Sequence, residues 1–307
     1  MNSRPLKLLI TGATGLLGHA LVQEACKRYA VTGLARHPGS TLNPCPMEAA
    51  DLQDADKLRS IVRKIAPDIV IHAAAMVSVD QCQKDPDAAY AVNVEGTRTL
   101  LRSLEGSSCR FLFISTDSVF DGRTGDYREE DAVNPIHIYG KSKLEAEKLT
   151  LQNRPDALVV RTSFYGSLSA PGRRSQNLAE SILSRLKEGR EVFGFTDLLF
   201  CPIPTTLLAA ILLELVKKPA SGILHVAGSQ GCSKYEFARQ LAAAFGFPVH
   251  LVVPATSDAA GLTTPRPRNA TLNTEKAARL LGRPLPNLQE GLQAFQLSEP
   301  MIETRPV

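Results

Sequence analysis

Short, mostly apolar runs recur through the first half of this chain, at 6–10, 30–34, 47–50, 69–72, 110–114 and 157–161. Runs of that length without polar alternation are the pattern of strands covered on both faces. Between them, 55–64, 88–104 and 142–152 repeat their apolar residues at steps of three and four, the period of an amphipathic helix. Strand and helix taking turns in this way predicts an α/β fold, a Rossmann-like, doubly wound parallel sheet. After Thr162 the rhythm breaks. A Gly/Ser/Arg-rich stretch at 166–175 reads as a flexible loop near a site mouth. Helical patterns follow at 178–188 and 206–216, a strand-like GILHVAG starts at Gly222, and 233–245 reads as a helix opened by a capping Ser233. The proline-rich tail from Pro254 predicts loops with two short helices.

The first apolar run leads into TGATGLLG and then a helical pattern. Gly12, Gly15 and Gly18 stand where a chain must turn tightly, approach a pyrophosphate by its backbone, and pack a helix closely on a strand. The N–H groups opening that helix then face the phosphates. The spacing alone is only suggestive; its place between a strand and a helix gives it weight.

A second constellation lies in FISTDSVFDGRTGDYREEDAVNPIHIYGKSKLEAEK. Ser115 and Thr116 end an apolar run, and Tyr139 and Lys143 follow four residues apart at the start of a charged helical pattern. Four residues is about one turn, so phenol and ammonium share a face. The ammonium is expected to lower the phenol's pKa toward the range of a general acid. Such a group suits protonation of a carbonyl oxygen while a hydride reaches its carbon. On its own the Tyr–Lys pair would describe an ordinary surface helix; the hydroxyl pair and the glycine loop change that reading.

Composition narrows the classes. With 307 residues and 44% hydrophobic content the chain can bury a large core, and its net charge of +4 is spread without a basic stripe. That fits anionic small molecules and argues against nucleic acid as a partner. The six cysteines have no paired spacing, so neither a metal site nor a disulfide framework is expected. No leader-like segment opens the sequence and no apolar run reaches membrane-spanning length. A cytoplasmic protein with reduced thiols and no membrane partner is the resulting expectation.

Taken together, TGATGLLG, DIVIHAAA at 68–75, ISTDSVF at 114–120, YGKSK at 139–143 and RPRNATL at 266–272 resemble the extended short-chain dehydrogenase/reductases that act on nucleotide sugars. Within that superfamily the likeness is greatest to the dTDP-4-dehydrorhamnose reductase family, through STDxVFDG, VSVD and RPRNATL. The chain also looks like a relative of that family, the regulatory beta subunit of methionine adenosyltransferase, which shares YREED and RPRNA. The resemblance implies a dinucleotide-binding domain at 1–163, with 203–228 returning to it, and a substrate-binding region at 164–202 and 229–307. It assigns Tyr139 as the acid, Lys143 to the nicotinamide ribose and the tyrosine, and Thr116 to the substrate oxygen. Gly12, Thr14, Gly15, Leu16, Leu17, Gly18, Ala73, Ala74, Ala75 and Ser115 would line the cofactor, with Asp51 and Leu52 at its adenine. Val79, Asp80, Thr116, Phe164 and Arg266 would face the sugar nucleotide.

The choice of cofactor turns on the end of the second strand. NAD-dependent relatives place an acidic residue there to bond the ribose hydroxyls. This chain has Arg36 followed by His37. A guanidinium can fork onto a 2′-phosphate, so NADP is favoured over NAD. The resemblance weakens on the substrate side. Phe164 stands near the family's tryptophan, in a chain with no tryptophan at all, and Leu198, Leu199 and Phe200 replace expected polar residues. Three functions follow: a reductase of a 4-keto nucleotide sugar such as dTDP-4-dehydro-rhamnose, an NADP-binding regulatory subunit of a partner enzyme, or an epimerase or dehydratase of another nucleotide sugar. A homodimer would pack through the apolar faces of the helices at 95–104 and 143–151.

Overall fold

The computed structural model describes residues 4–38, 44–166, 177–259 and 261–299; of the expected loop at 166–175, residues 167–175 lie outside them. The first half alternates as its pattern predicts: β1 (Lys7–Thr11), α1 (Leu16–Ala25), β2 (Ala30–Ala35), β3 (Met47–Ala49), α2 (Ala55–Ile65) and β4 (Ile69–His72). Then come α3 (Val79–Lys84), α4 (Pro86–Tyr90), a π-helical turn at Ala91–Glu95, α5 (Gly96–Ser103), β5 (Arg110–Ile114), α6 (Ile138–Asn153) and β6 (Leu158–Arg161). The remainder comprises β7 (Phe164–Tyr165), α7 (Leu178–Lys187), β8 (Val192–Phe195), β9 (Leu199–Phe200), β10 (Ile203–Pro204), α8 (Thr205–Leu215) and β11 (Gly222–His225). After it lie β12 (Cys232–Ser233), α9 (Lys234–Ala244), β13 (Val252–Ala255), α10 (Glu275–Leu281) and α11 (Leu288–Ser298).

Among the described residues the central sheet has seven strands in the order β11-β6-β5-β4-β1-β2-β3, every pairing parallel. Its strands bury both faces because successive side chains point to opposite sides. Leu8, Ile10, Ile69, Ile71, Leu112 and Ile114 meet α1 and α8 on one face. Leu9, Val70, Phe111, Phe113 and Val159 meet α2, α5 and α6 on the other. Leu100, Leu101, Leu104 and Leu149 are buried in this second core.

The strand order reverses between β1 and β4, and there the carboxyl ends of the strands leave a crevice. The later segments form a separate apolar cluster. Tyr165, Phe200, Phe237 and Phe295 join α7, α9 and α11, with Tyr165 edge-on to Phe237 at 4.9 Å and to Phe295 at 5.3 Å. The second region contains three two-stranded pairings, β7 with β10, β8 with β13 and β9 with β12, and no sheet comparable to the first among the described residues. No helix among them is long and apolar enough to cross a membrane.

Two elements differ from their sequence pattern. The single helix expected at 88–104 is divided by the π-turn, which directs Asn93 inward. Its side chain accepts the Met76 N–H at 2.7 Å and donates to Met76 O at 3.1 Å and Ser142 Oγ at 2.9 Å. The widened turn thereby ties the strand-end loop after β4 to α6. Helix α6 begins at Ile138, ahead of the expected 142, because the His137 imidazole caps it, Nδ1 accepting the Gly140 N–H at 3.1 Å. Tyr139 and Lys143 are therefore both inside the helix.

Candidate active site

The crevice is a cleft of about 680 Å³ floored by the glycine loop. Gly12 sits at φ +69, and a Cβ there would lie 2.7 Å from Ala74 Cα. The loop thus packs directly on the strand end holding Ala73, Ala74 and Ala75. At the start of α1, Gly15 supplies no side-chain cap, and the first turn holds no acidic residue. Its orphan N–H groups face the cleft as an anion site. Beneath, Thr11 Oγ1 bonds His72 Nδ1 at 2.6 Å, and His72 Nε2 bonds Thr97 Oγ1 at 3.0 Å. The Thr97 hydroxyl donates to Asn93 O at 2.7 Å, so the imidazole donates from Nε2 and accepts at Nδ1. Burial keeps this histidine neutral, pulled down to about 3, with the Lys143 charge adding to the effect.

All the residues assigned to the cofactor line this one cleft. Gly12, Thr14, Gly15, Leu16, Leu17 and Gly18 form its floor, and Arg36, Asp51 and Leu52 one end. Ala73, Ala74, Ala75, Ser115, Tyr139 and Lys143 form the other end. Arg36 is exposed and meets no carboxylate among the described residues. Asp51 serves two purposes, lining the cleft and accepting the Gln53 N–H at 2.9 Å as a turn cap. Sequence reasoning missed His37, Val77, Ser78, Val92, Ile114 and Asn177, which also line it. None of these carries a chemical signature; only their position after a strand or loop end could have pointed to them.

Of the residues expected at the substrate, Phe164 lines the cleft, while Val79, Asp80, Thr116 and Arg266 lie outside its lining. Thr116 is buried, and its hydroxyl acts on the Tyr139 phenol to hold its pKa down. It also donates to Asp117 Oδ1 at 3.1 Å and accepts the Ser118 N–H at 3.2 Å. Asp117 is itself enclosed, and burial pushes its carboxyl up despite hydroxyl bonds from Ser163, Thr116 and Ser118 and the nearby Lys234 charge. The two tail arginines are both engaged: Arg266 with Asp80 at 2.8 Å, Arg268 with Asp197 at 3.1 Å and Asp258 at 2.8 Å. Leu198 and Phe200 are core residues, Phe200 within the second cluster, and the apolar replacements noted in the sequence do not line the cleft.

The tyrosine's electrostatics correct one expectation. Part of the Tyr139 ring remains open to the cleft, but its phenol is closed in, and burial pushes the pKa up. Hydrogen bonding from Thr116 works against that rise, while Asp117 and Cys82 add to it. The lysine does not lower it, because the ammonium is directed elsewhere. Lys143 Nζ donates to Ile114 O at 2.7 Å and lies 3.9 Å over the Phe113 ring. Desolvation pulls Lys143 down to about 7, opposed by Glu147 one turn further along the helix. The Glu147 carboxylate is gripped by Arg161, from Nη2 at 2.8 Å and Nε at 3.0 Å, and accepts a very close bond from Ser115 Oγ.

A family model described as the RmlD substrate binding domain matches residues 6–299. The chain belongs to that family. It is 30% identical, over 94% of its own length and 96% of the other, to a probable low-salt glycan biosynthesis reductase of Haloferax volcanii. It is 31% identical to the methionine adenosyltransferase 2 subunit beta of Danio rerio, covering 90% of this chain and 85% of that one. Among solved structures, a dTDP-4-dehydrorhamnose reductase from Bacillus anthracis in complex with NADP superposes with a TM-score of 0.85. Its identity is 28%, and the match covers 97% of this chain and 100% of that one. Family membership and this superposition agree with the extended reductase fold expected from the motifs. The local structure fits a phosphorylated dinucleotide: a glycine floor that admits no Cβ at Gly12, an open helix N-terminus, and an exposed guanidinium at the far end.

Proposed function

We propose that this protein is an NADP-dependent oxidoreductase that reduces a 4-keto nucleotide sugar, with dTDP-4-dehydro-rhamnose converted to dTDP-rhamnose as the specific reaction. The single observation carrying this reading is the Tyr139 phenol, under the influence of Thr116, at the glycine-floored cleft. Bound in the cleft, NADPH supplies the hydride for the sugar C4. The protein's own part is to place and protonate the carbonyl. Thr116 holds the C4 oxygen and the phenol in line, and Tyr139 transfers its proton to that oxygen as negative charge develops there. A buried phenol with a raised pKa stays protonated until an alkoxide, a stronger base, forms beside it. Lys143, anchored to Ile114 O, holds the ribose edge. The loop N–H groups and Arg36 take the phosphates.

Residues 1–163 with 203–228 act as the dinucleotide-binding half, a division supported by β11 extending the main sheet beside β6. The segments 164–202 and 229–307 bind the sugar, a role supported by the aromatic core of their described residues. Val79, Asp80 and Arg266 serve the sugar nucleotide, Arg266 passing from Asp80 to the diphosphate when substrate arrives. A cytoplasmic setting fits six free thiols. NADPH oxidation should require the keto sugar, and Tyr139→Phe should lower kcat by about a hundred- to ten-thousand-fold with cofactor binding intact. Turnover retained in that variant would remove Tyr139 from the chemistry.

The likeness to the methionine adenosyltransferase beta subunit supports a second reading, an NADP-binding subunit that regulates a partner enzyme. A stoichiometric partner in a pull-down, with no turnover on any nucleotide sugar, would favour it. An epimerase would recycle its nicotinamide, so net NADPH oxidation separates that activity from reduction.

A further inference from the structure

Tyr139, Lys143 and Glu147 lie at successive turns of α6, on one face. Two consecutive residues at the end of β5 hold the last two of them: the Ile114 carbonyl takes the lysine Nζ at 2.7 Å, and the Ser115 hydroxyl binds the glutamate. Glu147 and Arg161 are each only 2% exposed, and the guanidinium grips both carboxylate oxygens. A buried ion pair contributes little to stability compared with apolar side chains of similar size. Among the described residues this one even leaves Arg161 Nη1 without a hydrogen-bond partner. Packing alone therefore gives no reason for a carboxylate at this position.

We propose that Glu147 is a positioning residue of the site, its carboxylate locked by Arg161 and Ser115 so that the neighbouring Lys143 ammonium keeps its proton and its place. The inference rests on the reading of Lys143 as the lysine that serves cofactor and tyrosine. Among the described residues, Glu147 is the carboxylate whose charge acts on that ammonium. Tyr139 on the same helix is held protonated, and His72 on β4 is neutral and bonded at both nitrogens. Arg161 on β6 contacts the carboxylate. The ammonium also meets the Phe113 ring and the Ile114 carbonyl, and Lys143 lines the cleft. Desolvation works to strip the proton, and Glu147 opposes it.

NADPH binding to the full-length protein, followed by fluorescence from pH 6 to 10, tests this. In the wild type, binding should weaken as pH rises through the Lys143 titration, and Lys143→Met should abolish that dependence. Glu147→Gln should move the midpoint down by about one pH unit, a roughly tenfold weaker affinity on the alkaline side. Glu147→Asp should recover part of the shift. A purely structural role would weaken binding by the same factor at every pH and leave the midpoint in place, which would overturn the proposal. If Glu147→Gln does not fold, the double variant Glu147→Met/Arg161→Met removes both charges together, and an unmoved midpoint there overturns it equally. A wild type with no alkaline loss, or one that Lys143→Met leaves unchanged, would instead refute the role given to Lys143.

Discussion

Arg36 stands exposed at the end of β2 and lines the cleft, where a guanidinium can fork onto a 2′-phosphate. Arg36→Asp is expected to weaken NADPH binding about ten- to a hundredfold, the size of a lost charge-assisted bond plus repulsion. NADH should bind within about threefold of its wild-type affinity or better. Parallel titrations of the two cofactors check this, and an equal loss for both would remove Arg36 from phosphate recognition. The residue identities at the site were largely legible: glycine loop, Arg36, Tyr139 and Lys143 all face one cleft. Their electrostatics were not. Helical spacing placed phenol and ammonium on one face, yet the phenol's pKa rises. Spacing fixes direction along a helix, whereas desolvation depends on what other segments bring over it. For the same reason the sequence did not single out Glu147, whose partners Ser115 and Arg161 come from the residue after β5 and from β6.

The glycine loop is the element in which local conformation and long-range contact meet. Gly12 needs a positive φ, which L residues adopt only at a cost, and its Cα faces the Ala74 backbone. Gly12→Ala should therefore destabilise the protein by about 1–3 kcal/mol and impair NADPH binding with it. Thermal unfolding with and without NADPH measures both; an unchanged melting temperature would show that loop and strand end can separate freely. Most other elements follow their hydrophobic period closely. The exceptions are set by contacts across the fold. The π-turn at Ala91–Glu95 serves the bonds of Asn93 to Met76 and Ser142. The early start of α6 depends on a histidine cap, a residue outside the usual Ser/Thr/Asp/Asn capping set. Phe200, which looks in sequence like part of a degraded substrate loop, is placed by the aromatic cluster around Phe237.

Across the whole molecule, three histidines are buried and held neutral: His72 at about 3, His137 at about 4 and His225 at about 3. Desolvation is the first cause for each. An unfolded chain protonates these rings near pH 6.5, so below that pH the unfolded state binds more protons and stability falls. The loss can reach about 1.4 kcal/mol per pH unit for each ring, between about pH 6.5 and the folded values. Asp117, with its raised pKa, acts in the opposite sense as pH falls. Urea unfolding at pH 7 and pH 5 should show a clearly lower midpoint at pH 5; equal midpoints would mean that the buried rings titrate as if exposed. By itself the sequence determined the alternating α/β order, the phosphate-turn glycines, the Tyr–Lys face and the cationic end of β2, because each is written in short-range periodicity or a single side chain. The tertiary structure alone decided which charges are neutralised and which polar groups meet. Arg266 finds Asp80 across 186 residues, and the carboxylate beside Lys143 is fixed by two segments that the linear chain keeps apart. Burial and partnership are properties of distant segments brought together, and no local pattern encodes them.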